Sequence, residues 1–207
     1  YIGDLKNVAT FDRFKDIFTL FETTYDLKID KVIADLHPNF LNTKWAKDQG
    51  FELVHLQHHY AHLLSVIFEN DLPDKEYLGF CFDGTGYGED GKIWGGEVFR
   101  LDKNSYKRVF HFDEFSLFGG ENSIKNIYLI AYSIILKYEL EDEGHKFLVN
   151  FDEKVLRNFK MMEQKGLNLV KTSSVGRIFD AFGAIICGIF HSSFEGESGM
   201  RLEALYD

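Results

Sequence analysis

Apolar positions recur along the chain at two periods, and the switches between them outline its elements. Phe11, Phe14, Ile17, Phe18 and Phe21 fall at three- and four-residue steps, which predicts an amphipathic helix with Thr10 as its N-cap. Residues 31–36 form a short apolar run closed by His37-Pro38, which reads as a strand and a turn. Residues 39–49 read as a helix with Gly50 just past its end, and residues 51–56 as a second strand. A helix over 58–70 would turn Leu63, Leu64, Ile67 and Phe68 to the core, and residues 77–82 form a third strand. Strand, helix, strand, helix, strand at this spacing predicts parallel pairing through right-handed crossovers.

Beyond the glycine-rich turn Asp83-Gly84-Thr85-Gly86-Tyr87-Gly88, residues 93–101 and 106–112 are expected to be antiparallel strands of a meander. The rest is mostly helical: 123–138, 152–165, 175–190 and a last helix from about Gly196. Lys171-Thr172-Ser173-Ser174 supplies N-cap candidates for the third of these. Residues 139–150 are acidic and aperiodic and are expected to be a surface connection between lobes. The division that follows is an α/β lobe over 1–117 and a mainly helical portion over 118–207.

Gln57-His58-His59-Tyr60-Ala61-His62 carries the most specific chemistry. His58 and His62 are four residues apart, so on a helix their imidazoles share a face and can grip one metal ion. A helix that begins at His58 directly after a strand starts at the carboxyl edge of the sheet, and Asp83 ends the next strand. Two imidazoles and a carboxylate suit Zn²⁺ or Fe²⁺, with positions left open for water or substrate. Histidines at a helix start also serve simply as caps and packing. His55 and His59 would point elsewhere, His59 as outer support or polar surface, and His37 has no evident role.

Gly84, Thr85 and Gly86, and later Trp94-Gly95-Gly96-Glu97, flank a hairpin whose bare backbone amides suit phosphate oxygens. A tight hairpin alone would also require such glycines. Gly176 and Asp180 stand one turn apart near a helix start, where a nucleotide can rest on the glycine and the carboxylate can accept from ribose hydroxyls. A capped helix with a close-packed glycine is the simpler alternative. Phe118-Gly119-Gly120-Glu121 is a further turn of this type, and Glu195-Gly196-Glu197 places negative charge at a helix start.

Net charge narrows the field further. At −10 the chain lacks the clustered Lys and Arg of an extended nucleic-acid surface. Its two cysteines, Cys81 and Cys187, lie far apart in apolar stretches and read as buried thiols of a reducing compartment. Nothing resembles a secretory signal, and no apolar run reaches the ~18–20 residues of a membrane span. A cytoplasmic location is expected.

Taken in order, these segments resemble the HypF hydrogenase-maturation carbamoyltransferases. The matching stretches are Asp35-Leu36-His37-Pro38, Gln57 to His62, Phe82 to Gly88, Ile93 to Glu97, Gly119-Gly120, Thr172 to Ala181 and Phe194-Glu195-Gly196. The resemblance implies an α/β, actin-like ATPase (ribonuclease H-like) fold, incomplete here at both ends, with a helical C-terminal portion. It implies an enzyme that takes carbamoyl adenylate, made from carbamoyl phosphate and ATP. The carbamoyl group passes to the C-terminal cysteine of HypE during maturation of nickel–iron hydrogenase. The family's metal ligands fall on His58, His62 and Asp83, and its nucleotide contacts on Gly176 and Asp180. Glu121, Ile127 and Leu129 stand where the family has an aspartate, a proline and an arginine, so no substrate contact is carried over to that turn. An incomplete cleft predicts no transfer by the fragment itself, and bared sheet edges predict self-association. Two other readings share the histidine pair or the fold. One is a tRNA threonylcarbamoyl transferase of the TsaD type, against which the acidic balance and the FDGTGYG and IWGGE segments speak. The other is a non-catalytic nucleotide- and metal-binding module.

Overall fold

The computed structural model describes residues 2–206, apart from the side chain of Glu121. The chain divides into two compact units, Tyr1–Ala61 and His62–Asp207.

In the first unit, α1 (Val8–Tyr25) is capped by Asn7, whose side chain accepts from the Thr10 N–H. The cap therefore lies three residues ahead of the expected Thr10, which sits inside the first turn. Asp26 ends the helix in the left-handed conformation, φ 48°. The apolar stripe packs on α2 (Leu41–Asp48): Phe14 and Phe18 meet Trp45 edge-on, with ring centroids 5.3 and 4.9 Å away. Around α2 runs the crossover joining β1 (Lys31–Asp35) to β2 (Glu52–Leu56), which pair in parallel from Lys31↔Glu52 to Asp35↔Leu56. Helix α3 (His58–Glu69) opens two residues after β2 and continues into the second unit.

There β3 (Tyr77–Phe82), β4 (Gly96–Leu101) and β5 (Tyr106–His111) form an antiparallel sheet. Among the described strands β1 and β2 pair in parallel as expected, whereas β3 pairs antiparallel with β4, folding back on the strand after the glycine turn. β4 also starts later than expected. Gly95 must approach Asp83 so closely that an added Cβ would stand 2.5 Å from the Asp83 carbonyl oxygen, and Ile93 makes only isolated bridges to Tyr87 and Thr172. Leu63 of α3 covers Gly79 of β3, where a Cβ would meet it at 2.7 Å.

A second antiparallel pair, β6 (Phe115–Phe118) with a strand at Leu169–Thr172, backs the helices. Of these helices α4 (Glu121–Lys125) and α5 (Tyr128–Lys137) break the single helix expected over 123–138. The break buries Ile127 and Leu129 in the interior, while Glu121 contributes a side chain outside the described residues. The stretch expected as a surface connection instead holds α6 (His145–Leu148), whose Phe147 joins Leu117, Ile130, Ile135 and Ala181 in the main core. Fully burying a Leu or Ile side chain such as Leu117 or Ile130 contributes about 1.5–3 kcal/mol. Asp152 caps α7 (Glu153–Lys165), which leads through the Leu169–Thr172 strand, β7, into α8 (Val175–Cys187). Ser174 caps α8, Gly188 ends it at φ 68°, and α9 (Glu197–Glu203) packs against it. Among the described residues no helix is long and apolar enough to cross a membrane.

Candidate metal and nucleotide site

Within the first unit the parallel ladder fixes the surroundings of His58. Asp35 pairs with Leu56, and α3 begins just beyond with Gln57 as its cap, the side-chain oxygen accepting from the Tyr60 N–H at 2.8 Å. His58, the first helical residue, thereby falls beside the end of β1. Its Nδ1 lies 2.9 Å from Asp35 Oδ2, while Asp35 Oδ1 accepts the His37 N–H at 2.8 Å. Burial tends to raise the Asp35 carboxyl, but the hydrogen bonds from His58 and the His37 backbone and the two nearby rings outweigh it, so it lies below its ordinary value. His55 places Nδ1 3.0 Å from the Asp35 carbonyl. His59 is fully buried, with Nδ1 3.1 Å from Gln57 Nε2, which corrects the polar-surface alternative for this residue.

Because α3 is one unbroken helix, His62 follows His58 one turn on, on the same face. His62 Nε2 lies 3.9 Å from Asp83 Oδ2, just past the end of β3. Ligand atoms of His58, His62 and Asp83 all fall within 4.8 Å of one another. Tetrahedral zinc with bonds of about 2.1 Å spaces its ligand atoms by about 3.4 Å. The two-nitrogen, one-oxygen donor set suits Zn²⁺ or Fe²⁺.

Asp83 is held from three directions. Its N–H donates to the Gly95 carbonyl at 2.8 Å, and its carbonyl accepts from the Gly176 N–H at 3.1 Å and the Ser174 hydroxyl at 2.8 Å. The end of β3 is thus bonded directly to the start of α8. This joint explains Gly176: a Cβ there would stand 2.7 Å from Gly84 Cα, so only glycine lets helix and turn meet. Buried Glu97 ties the same joint together, accepting from the Gly95 and Gly96 amides, the Ser173 hydroxyl and Arg108.

Asp83, Gly84 and Thr85 form one wall of a cleft of about 320 Å³ within the second unit. Lys125, Arg177, Asp180 and the 192–196 turn also line it. Gly86 sits in the hairpin behind, its carbonyl accepting from the Trp94 N–H at 2.8 Å. Arg177 Nε lies 2.8 Å from Asp180 Oδ2, at contact distance but without hydrogen-bond alignment. Burial pushes the Asp180 carboxyl above its ordinary value, against the opposing pull of Arg177 and Ser198. The structure therefore brings Asp83, Gly84, Thr85 and Asp180 to one cavity and gives Gly176 the joint beneath it. Lys125 and Ser193 were not legible as cleft residues, since neither belongs to a motif. Ser193 is fixed through Glu197, which accepts from both its amide and its hydroxyl at 2.8 Å.

A fold of this kind is shared with solved relatives. The crystal structure of full-length HypF in its phosphate- and nucleotide-bound form superposes with a TM-score of 0.94 at 32% identity, over 100% of this chain and 27% of that one. The structure of T. kodakarensis HypF gives 0.83 at 32% identity, over 99% and 28%. The fold is thus of the actin-like, ribonuclease H-like ATPase type, in its Kae1-like form. Residues 79–207 match the family described as carbamoyltransferase, Kae1-like domain, second subdomain, and residues 1–69 match the HypF Kae1-like domain. The chain belongs to the HypF carbamoyltransferase family. Carbamoyltransferase HypF of Synechocystis sp. is 32% identical, covering 99% of this chain and 29% of its own length. A probable carbamoyltransferase HypF of Methanocaldococcus jannaschii is 36% identical, covering 98% and 27%. The chain spans less than a third of the length of these relatives.

Proposed function

We propose that this chain carries the carbamoyl-transfer site of a cytoplasmic HypF enzyme, with a metal at His58, His62 and Asp83 beside an adenine-nucleotide cleft. The observation that carries this reading is the double position of Asp83, at once a member of the ligand cluster and a wall of the cleft. In the proposed reaction carbamoyl adenylate, made from carbamoyl phosphate and ATP, meets the C-terminal cysteine thiol of HypE. A carbon–sulfur bond forms, the bond between the carbamoyl carbon and the phosphate oxygen breaks, and AMP and a proton leave.

The chain's own residues have distinct parts in it. Gly84 and Thr85 offer backbone to the phosphate, and Lys125 and Arg177 offset its charge. Asp180 accepts from the ribose hydroxyls, and Gly176 keeps the turn against α8 so that these groups stay in place. A metal bound at the histidines supplies Lewis acidity toward an oxygen or lowers the pKa of a thiol. A full-length relative is itself described in a phosphate- and nucleotide-bound form, in keeping with a family that uses a nucleotide.

Two substitutions test the two halves separately. His62→Ala is expected to reduce bound Zn²⁺ to background in elemental analysis of the metal-loaded protein. Asp180→Asn, which keeps the shape of the side chain, is expected to weaken ATP binding at least tenfold by calorimetry while leaving zinc content unchanged. Parent-like zinc in the first variant overturns the metal site, and parent-like affinity in the second overturns the nucleotide assignment.

A further inference from the structure

We infer that Asp35 is the positioning residue of the metal centre, its carboxylate holding His58 as the Nδ1–H tautomer so that Nε2 is the nitrogen presented to the ion. The inference deepens the metal reading above and rests on it. Three observations within the first unit carry it. His58 Nδ1 lies 2.9 Å from Asp35 Oδ2, at normal hydrogen-bond length. The carboxylate is itself aimed, because its other oxygen accepts the His37 N–H at 2.8 Å, which leaves Oδ2 to the imidazole. The backbone beneath is fixed by the parallel register Asp35↔Leu56, which puts the end of β1 next to the residue that opens α3.

An imidazole whose Nδ1–H donates to a carboxylate has one tautomer, one ring orientation and a more basic Nε2, and all three favour metal binding. On the same helix, His62 places its Nε2 3.9 Å from Asp83 Oδ2. Asp35 acts on His58 from 23 residues upstream, on a different element.

The test is zinc affinity of the full chain, measured with Zn²⁺ alone against a chromophoric chelator. Asp35→Ala is expected to weaken binding ~10–100-fold. Asp35→Asn keeps an acceptor oxygen without the charge and is expected to fall between that variant and the parent. His62→Ala is expected to abolish binding. A second readout needs no substitution: nitrogen NMR of the zinc-loaded protein is expected to show His58 protonated on Nδ1. If both Asp35 variants bind zinc as the parent does while His62→Ala fails, or if His58 carries its proton on Nε2, Asp35 has no positioning role and the metal site stands. If His58→Ala and His62→Ala bind zinc as the parent does, the metal reading itself falls and this inference with it.

Discussion

Cys81 shows how a residue beside the site takes its chemistry from position. It lies on β3 two residues before Asp83, is buried, and has the carboxylates of Asp83 and Glu97 nearby. Burial first, and then those two charges, push its thiol from an ordinary 9.0 up to about 12. A thiol so protonated is a packing residue and no nucleophile at neutral pH. The folded chain holds this proton in a range where the unfolded chain releases it, so stability is whole below about pH 9 and is lost as pH rises toward 12. Other groups titrate there too, so the informative quantity is a difference. Urea midpoints of the parent are expected to fall more steeply above pH 9 than those of Cys81→Ala. Equal slopes would mean that the thiol is not held protonated by the fold.

Among the elements, the contact between α8 and α9 is a place where packing overrides propensity. Gly183 lies inside α8, where replacing glycine by alanine ordinarily gains up to about 1 kcal/mol. Here an added Cβ would stand 2.6 Å from Ser198 Cβ and 3.1 Å from its Cα, so α9 would have to shift. Gly183→Ala is expected to destabilise by roughly 1–3 kcal/mol, the usual range for an overpacked contact, read from urea unfolding. A gain in stability would show that α9 moves aside freely. Such contacts are what the amino-acid pattern conveys least. Helices α1, α3, α7 and α8 were legible because each keeps an apolar period over twelve or more residues. The two four-residue strands β6 and β7 were not, since four residues show no period and Phe115–Phe118 runs straight into a glycine turn. At the candidate site, the clustering of His58, His62 and Asp83 was legible from a helical spacing and a strand end. Asp35 was not, because its tie to His58 exists only through the pairing of β1 with β2.

For the whole molecule, the uneven coverage of the β3–β4–β5 sheet has a consequence in solution. One face carries Gly79, Cys81, Phe99 and Leu101, and Leu63 lies over Gly79. On the other, Leu78 and Phe80 are each 60% exposed, Phe82 58% and Phe110 56%. Val98 stands between Phe80 and Phe110 across the strands, and a chain of ring contacts joins Phe80 to Phe82, Phe82 to Phe112 and Phe112 to Phe110, with centroids 6.4, 5.8 and 6.1 Å apart, so the rings form one patch instead of being scattered. An antiparallel sheet with one solvated face ordinarily turns polar residues outward, and a strand that is apolar throughout is built for cover on both sides. Burying the exposed part of even two of these rings contributes roughly 2–4 kcal/mol before the cost of association. Opposing this is the net charge of −10, whose repulsion is screened beyond about 8 Å at physiological salt. We therefore expect the chain to sediment as dimers or larger species at tens of micromolar, more so as salt is raised. Phe80→Lys places a charge in the centre of the patch and is expected to return it to monomer with its circular dichroism unchanged. A parent that stays monomeric at high salt would show that these rings are satisfied by contacts among themselves.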